Sequence, residues 1–380
     1  MIPGGQSLAT SEDGKKFFFW NALPGEEVLE YKITKNKSSY AEAIATSIKN
    51  PSPYRTKPKD PCFLATSPWQ IMDYNYELSE KQSLVVELFR EHGITIPRPD
   101  IVTDQKDYFY RNKMEYSLYY SHETGQISLA FHERGSHHKL PISQSSLERP
   151  EIFTAATQIV ADLNARGEEA RKYQSLLLRC SQNGEVSGGL YENHQPHPVF
   201  TPLKDVLLGH EYSYSPNGFF QINLPVYELA LTEIKKHIKT DEVLDLYAGV
   251  GTIGLSVADG KKLTMVEVDK SAYRELTRNA STAGFIESPT AILAKSEGSL
   301  DYVKSHQTVI LDPPRAGIDR KLTERLLEVL PPRIIYLSCN PATEARDTKL
   351  LLEKYHITAV KTFNFFPHTP HIENLIVLSL

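Results

Sequence analysis

The pattern of apolar and polar residues changes character along the chain. From about residue 225 onward, short apolar runs alternate with helical stretches. These runs are VLDLYAGVG, LTMVEVD, TVILDPP and RIIYLSC. Strands that alternate with helices form right-handed βαβ units, so this part of the chain predicts an open, doubly wound parallel sheet. Such a sheet binds ligands at the carboxyl ends of its strands.

The first half of the chain has shorter and more varied apolar runs. Residues 15–50 contain three strand-like runs, FFFW, EEVLEYKI and YAEAIATSI, which indicate a small β-domain. A helix is predicted over 78–92, with Ser79 as its N-cap and Gly93 after its end. Residues 100–210 alternate strand-like runs with one helix near 150–166, which favours an antiparallel-rich α+β domain.

These patterns divide the chain into four parts. We predict an N-terminal β-domain (1–55), a linker with a helix (56–95), a central α+β domain (96–210) and a C-terminal α/β domain (211–380). The proline-rich, basic stretch PSPYRTKPKDP supports the linker.

Composition and charge limit the cell compartment and the partners. The chain has three cysteines, Cys62, Cys180 and Cys339, which are far apart and predict neither disulfides nor a metal set. With no apolar run of bilayer length and no secretory signal, we expect a cytoplasmic protein without a membrane span. The net charge of −5 means that any RNA contact must come from local patches such as the N-terminal lysines.

A glycine-bearing turn follows the first strand of the C-terminal domain. Gly249 and Gly251 allow a ligand to approach the backbone closely, and Glu267 ends the next strand, where an acid can accept hydrogen bonds from a ribose. The spacing also satisfies the dinucleotide pattern G-x-G-x-x-G. The acid at Asp245 favours S-adenosylmethionine over a nicotinamide dinucleotide. An ordinary strand–helix turn would explain the glycines but not Glu267.

Three further strand ends carry candidate chemistry. Asp312 precedes two prolines, which stiffen a loop that could hold a substrate or could simply cap the next helix. Cys339 ends the run RIIYLSC at the predicted ligand edge. Glu373 lies between aromatic and aliphatic runs, where partial desolvation raises a carboxyl pKa as a general base requires. His368 and His371 lack a third convergent ligand, so no metal site is predicted.

Three C-terminal segments resemble signatures of the RNA uracil-5 methyltransferases. They are Asp-Pro-Pro-Arg-Ala-Gly (312–317), Ser-Cys-Asn-Pro-Ala-Thr (338–343) and Phe-Pro-His-Thr-Pro-His-Ile-Glu (366–373). The likeness covers nearly the whole chain. Residues 16–50 resemble the family's TRAM domain, an oligonucleotide-binding β-barrel, and Arg111-Asn112-Lys113 resembles part of its central domain.

The resemblance implies a function and a set of site residues. It implies 5-methyluridine formation in RNA, with a Rossmann-like methyltransferase domain at 211–380. The nucleophile falls on Cys339 and the general base on Glu373. The implied S-adenosylmethionine contacts are Gln221, Tyr247, Gly249, Thr252, Glu267, Ser296 and Asp312. The TRAM-like domain favours ribosomal RNA over transfer RNA as the substrate, and we expect a monomer.

The chain departs from the family pattern in its cysteines. Many members that act on ribosomal RNA hold an iron–sulfur cluster with four cysteines, three of them just after the TRAM domain. Here only Cys62 lies in that region, and Gln144-Ser145-Ser146 occupies the position of the fourth. One thiolate cannot hold a cluster, so none is expected, and Cys62 and Cys180 are interpreted as buried packing residues.

In the implied mechanism, the Cys339 thiolate adds to C6 of uracil and makes C5 nucleophilic, and Glu373 later removes the C5 proton. The base must leave any stack to reach the thiol. Two alternatives remain at this level. Asp-Pro-Pro also resembles the loop of exocyclic-amine methyltransferases, although Arg315 stands where those carry an aromatic residue. The second alternative is a non-catalytic RNA-binding homologue.

Overall fold

The structure, a computed structural model, describes residues 1–167, 172–193, 195–197 and 200–380. The N-terminal part has four strands, β1 (Ser7–Thr10), β2 (Lys16–Trp20), β3 (Val28–Asn36) and β4 (Tyr40–Ile48). They form one sheet in the order β1-β2-β4-β3. Its small core consists of Phe19, Ala22, Ala43 and Ala45. The three predicted strands are present, while the barrel that the resemblance implies stays a prediction.

Two helices and a short strand follow: α1 (Phe63–Thr66), α2 (Tyr74–Glu91) and β5 (Asp100–Val102). The predicted start of the long helix is wrong. Helix α2 begins at Tyr74 because the Asp73 side chain accepts hydrogen bonds from two backbone amides of the first turn, whereas Ser79 lies within the helix. Trp69 and α2 pack in the core of the C-terminal sheet, and β5 joins its edge.

The central domain is a six-stranded antiparallel sheet with a helix against one face. Its elements are β6 (Lys113–Tyr120), β7 (Ile127–His132), β8 (Lys139–Pro141), α3 (Pro150–Ala165), β9 (Ser175–Cys180), β10 (Val186–Glu192) and β11 (Gln195–His197). The strand order is β11-β10-β9-β6-β7-β8. The apolar side of α3 covers this sheet and closes a core of its own, as the sequence pattern predicts.

A hairpin leads into the C-terminal domain. Its strands are β12 (Leu203–Leu207) and β13 (His210–Tyr214). The remaining elements are α4 (Leu224–Lys236), β14 (Glu242–Leu246), α5 (Thr252–Val257), β15 (Lys262–Glu267), α6 (Lys270–Thr282), β16 (Thr290–Leu293), β17 (Gln307–Leu311), α7 (Arg320–Val329), β18 (Arg333–Ser338), α8 (Pro341–Leu351), β19 (His356–Phe363) and β20 (Glu373–Ser379). Two short 3₁₀ helices lie at Ser296–Gly298 and Leu300–Tyr302.

The C-terminal sheet has eight strands in the order β16-β15-β14-β17-β18-β20-β19-β5. The five strands from β16 to β18 are parallel, and β20 runs antiparallel to both β18 and β19. The chain order reverses between β14 and β17, which are adjacent. Loops that leave these two strands diverge and open a crevice. The doubly wound parallel sheet predicted from the sequence therefore forms, with an antiparallel edge.

Successive residues of each central strand pack on opposite faces. Val243 of β14 packs with α4 and the β12–β13 hairpin, whereas Leu244 packs with α2, α7 and α8. Both faces are thus covered by helices, which is why the strands are apolar throughout. None of the described helices is long and apolar enough to cross a membrane.

Candidate active site

A cavity of about 680 Å³ opens at the carboxyl ends of β14, β15, β17 and β18. Eight of the predicted site residues line this cavity: Gln221, Tyr247, Gly249, Thr252, Glu267, Asp312, Cys339 and Glu373. Loops and strand ends that are distant in sequence therefore bring the proposed cofactor contacts and the proposed catalytic pair to one place.

The turn after β14 shapes one end of the cavity. Tyr247 has a φ of 65°, an uncommon left-handed conformation for a residue with a side chain. Gly249 also has a positive φ, and no atom lies within 4 Å of the position a Cβ would occupy. The backbone N–H of Gly249 donates to Glu267 Oε2 at 2.8 Å, and that of Asp269 donates to Oε1 at 2.6 Å. These bonds fix the Glu267 carboxylate and leave lone pairs for a ligand.

Two residues that the sequence associated with the cofactor lie elsewhere. Asp245 is fully buried within β14 and accepts the backbone N–H of Gly254 at 2.8 Å, so it holds the first turn of α5 against the strand. The described lining of the cavity does not include Asp245. Ser296 is buried in a 3₁₀ helix, and the described cavity lining does not include it.

Strand register explains how Cys339 and Glu373 meet. In the antiparallel pair β18–β20, Ser338 is opposite Asn374, so the next residue of each strand end lies beside the other. Glu373 is 3% exposed and begins β20, whereas Cys339 follows the last residue of β18 and is half-buried. Pro341 then starts α8, which turns the chain away and leaves the thiol at the rim.

The electrostatics of this rim disfavour ionisation. Burial, followed by the charge of Glu373, raises the pKa of Cys339 to about 11. Burial also raises the pKa of Asp312 to about 7 and that of Glu373 well above its usual value. The Arg315 guanidinium acts in the opposite direction on both Cys339 and Glu373. The thiol and the acid therefore share one environment, in which a positive charge favours both ionised forms.

Arg315 is held by its neighbours. Its Nη2 atom donates to His371 Nδ1 at 3.1 Å, and Asn340 and Thr343 donate to its backbone carbonyl. Burial and Arg315 lower the pKa of His371 to about 4, so His371 is a neutral acceptor near neutral pH. The other histidine of the motif, His368, contacts Asp107 instead, at 3.2 Å.

The sequence analysis missed several residues of the cavity wall. They are Phe219, Phe220, Tyr227, Asp269, Glu275 and Phe366. Phe219 is 73% exposed at the cavity mouth, beside the predicted Gln221. Its exposure is visible only in the structure, so the run NGFFQIN gave no signal that separates Phe219 from a buried residue. The other two cysteines, Cys62 and Cys180, pack in the core of the central domain.

Comparison with known proteins supports the resemblance. Residues 299–380 match the family model described as tRNA (Uracil-5-)-methyltransferase. A relative from Synechocystis, named as an uncharacterized RNA methyltransferase, is 28% identical over 95% of this chain and 90% of its own length. A similarly named relative from Lactobacillus johnsonii is 29% identical over 96% of this chain and 94% of its own.

A solved structure shares the fold across the whole chain. It is the Pyrococcus abyssi tRNA (uracil-54, C5)-methyltransferase in complex with S-adenosyl-L-homocysteine. The alignment covers 98% of each chain, with a TM-score of 0.75 and 22% sequence identity. The matched segment 299–380 contains Asp312, Cys339 and Glu373. In sequence and in fold, the chain is therefore similar to RNA methyltransferases, and its residues 299–380 match the uracil-5 methyltransferase family model.

Proposed function

We propose that the protein transfers a methyl group from S-adenosylmethionine to C5 of a uridine in RNA, through a covalent bond between Cys339 and C6. The observation that carries this proposal is the meeting of Cys339 and Glu373 in the cavity that also contains Glu267 and Asp312. An amine methyltransferase needs no thiol at this position, and a non-catalytic binder needs neither the thiol nor the buried acid.

The described residues suit S-adenosylmethionine. The open space beside Gly249 and the fixed Glu267 carboxylate fit a nucleoside whose ribose hydroxyls donate hydrogen bonds. Gln221 and Asp312 line the same cavity and add polar groups toward its catalytic end. When bound, S-adenosylmethionine would supply the methyl group and a positive sulfonium charge.

Cys339 and Glu373 would act at successive stages. The Cys339 thiolate donates an electron pair to C6, and the C5–C6 π electrons move into the ring as an enolate. C5 would then take up the methyl group, whose bond to the sulfonium sulfur breaks and leaves a neutral thioether. The Glu373 carboxylate next removes the proton from C5, and the electrons of that bond expel the thiolate from C6. This leaves a thiolate and a protonated Glu373, and release of that proton to solvent restores the starting pair.

The charges around Cys339 and Glu373 determine when the two groups can ionise. Without a bound cation, burial keeps Cys339 largely protonated near neutral pH and favours the protonated form of Glu373. Arg315 is too exposed to overcome this alone. A second positive charge in the cavity favours the thiolate and the carboxylate together. The residues are therefore poised to ionise in the complex rather than in the free enzyme.

The expected reaction can be tested with two variants and a matched control. Glu373→Gln keeps the shape of the side chain but cannot accept the C5 proton, so the methylated base should remain bonded to Cys339. The variant is incubated with S-adenosylmethionine and with RNA from cells lacking the gene. A denaturing gel should then show a slow-migrating protein–RNA band. Cys339→Ala should give no band and no turnover. Cys62→Ala, a change in the central core, should behave like the unmodified protein.

The same gel separates the alternatives. An amine methyltransferase would form no covalent band with either variant and would leave 5-methyluridine unchanged in the RNA. A non-catalytic binding protein would retain RNA without any methyl transfer. Full activity of Cys339→Ala would show that the thiol only packs, and the uracil-5 mechanism would be wrong.

The RNA class is a separate question. We propose ribosomal RNA, since residues 16–50 resemble a TRAM domain in sequence. The second candidate is transfer RNA, which is the substrate named for the matched family model and for the Pyrococcus abyssi protein. Ribosomal and transfer RNA, purified separately from cells lacking the gene, should be offered with labelled cofactor. Incorporation into transfer RNA alone would overturn the ribosomal assignment.

A further inference from the structure

A second cavity opens on the other side of Cys339. Its volume is about 380 Å³, little more than half that of the main cavity. The two cavities share three lining residues, Arg315, Cys339 and His371. The second cavity is thus continuous with the reacting thiol, although the catalytic scheme above makes no use of it.

All three domains contribute to the wall of this second cavity. Trp20 is the last residue of β2 in the N-terminal sheet, and Arg134 follows β7 in the central domain. Pro370 and Thr369 come from the loop that precedes Glu373. A ligand in this space would therefore contact the N-terminal and central domains while it touched the catalytic rim.

The wall combines an aromatic ring with cations. The Arg134 guanidinium lies 4.1 Å from the centre of the Trp20 ring, and its Nε atom donates to the Leu64 carbonyl. Burial lowers the pKa of Arg134. Among the ion pairs of the described residues, none involves Arg134 or Arg315. Two guanidinium groups that share a cavity without a carboxylate partner are suited to a phosphate.

We infer that the second cavity binds the nucleotide next to the target uridine, with its phosphate on Arg134 and Arg315 and its base against Trp20. This inference rests on the proposed function, since a target base at Cys339 places the adjoining nucleotide at the shared rim. Bases of single-stranded RNA stack on aromatic rings and on guanidinium planes, and phosphates pair with arginine. An apolar partner would leave the Arg134 guanidinium without a counter-charge.

The inference gives the N-terminal sheet a specific task. Trp20 would hold the strand that leads into the catalytic cavity, so the sheet would act at the reacting nucleotide and not only as a distant anchor. The base stacked there cannot remain stacked on the target uridine. The cavity would therefore also stabilise the extruded conformation that the Cys339 chemistry requires.

The test uses the full-length protein and labelled S-adenosylmethionine, with RNA from cells lacking the gene as the probe. Arg134→Gln should raise the KM for RNA about tenfold. It should also reduce the slope of log kcat/KM against log salt concentration by about the amount expected for one phosphate contact. Arg134→Lys should restore the salt dependence in part. Trp20→Ala should raise the KM for RNA by about tenfold, and Trp20→Phe should remain close to the unmodified protein.

The controls separate RNA binding from folding. The KM for S-adenosylmethionine and the melting temperature should not change in Arg134→Lys or Trp20→Phe. Arg90→Gln removes an exposed arginine of α2 and should leave every value unchanged. If Arg134→Gln matched Arg90→Gln in KM and salt dependence, the cavity would not bind the RNA backbone. That result would overturn the inference and leave the proposed function intact, whereas absence of RNA methylation by the unmodified protein would refute the proposed function itself.

Discussion

Alkylation of Cys339 should report the unfavourable charge of the free catalytic cavity. An ordinary cysteine with a pKa of about 8.5 is roughly one quarter thiolate at pH 8. With its pKa raised to about 11, Cys339 is only about 0.1% thiolate at that pH. Because the thiolate is the reactive form, iodoacetamide should modify Cys339 roughly 200-fold more slowly than an unperturbed thiol. The rate should rise about tenfold for each pH unit up to pH 10.

Two substitutions should shift the midpoint of the Cys339 alkylation rate against pH in opposite directions. Glu373→Gln removes a carboxylate that opposes the thiolate, so the midpoint should fall. Arg315→Gln removes the cation that favours the thiolate, so the midpoint should rise. In the unmodified protein Cys339 and Glu373 titrate as a pair, and the observed midpoint belongs to both groups. The Glu373→Gln curve should therefore be the simpler one, with a single titrating group.

Mass spectrometry of cysteine peptides measures these rates and contains its own control. Cys62 and Cys180 are 8% and 0% exposed, so their alkylation reports unfolding rather than titration. The rates are compared only at pH values where both remain unmodified. A Cys339 midpoint at or below 8.5 in the free enzyme would show that the cavity activates the thiol by itself. An unchanged midpoint in both variants would refute the charge argument.

Three further changes test the cofactor end and the scaffold. Glu267→Ala should weaken S-adenosylmethionine binding by about tenfold or more in calorimetry, since hydrogen bonds to a charged group are lost; unchanged affinity would remove Glu267 from the site. Gly254→Ala places a Cβ 2.8 Å from Asp245 Oδ2 and should destabilise the fold by about 1–3 kcal/mol in urea unfolding, and equal stability would contradict the tight packing. Lys81→Met breaks a fully buried pair with Glu77, joined at 2.8 Å, and should cost about 3–5 kcal/mol by the same measurement. A cost below about 1 kcal/mol would show that Glu77 finds another partner.

The sequence predicted the parts of the fold that depend on local pattern. The apolar runs from β14 to β18 lie inside a sheet covered on both faces, so their composition alone identifies them as buried strands. The start of α2 was predicted wrongly at Ser79, because Ser79 and Asp73 are both residue types that cap helices well. Only the structure shows that Asp73 accepts the first-turn amides.

Other features depend on contacts between distant segments. Glu77 and Lys81 would be assigned to the solvent face of α2 from their charge, yet both are fully buried. Lys81 donates to Asn364 Oδ1 at 2.7 Å and to the Phe366 carbonyl at 3.0 Å, so it fixes the loop that leads to Glu373. The contact between Arg134 and Trp20 likewise joins two domains. No periodicity in either segment could indicate such pairings.

The candidate site shows the same division. Cys339 and Glu373 could be assigned from motifs, and the register of β18 and β20 supplies the physical reason that they meet. Asp245 illustrates the limit of a motif, since an acid within the strand can serve the ligand or the backbone of the next turn. In this chain the Gly254 backbone N–H donates a hydrogen bond to Asp245 Oδ2. The sequence alone contains no information on which of the two partners lies nearer to the carboxylate.

The raised pKa values also bear on how an acidic cavity can receive a polyanion. Asp312, Cys339 and Glu373 together would place up to three negative charges where an RNA base must enter. Burial opposes this, because it favours the neutral forms of all three groups while no bound cation adds to the charge of Arg315. A positively charged cofactor shifts the same groups toward ionisation, and only then does the thiolate become available. Under the proposed function, the environment that disfavours the Cys339 thiolate in the free protein would thus couple its activation to the presence of the methyl donor.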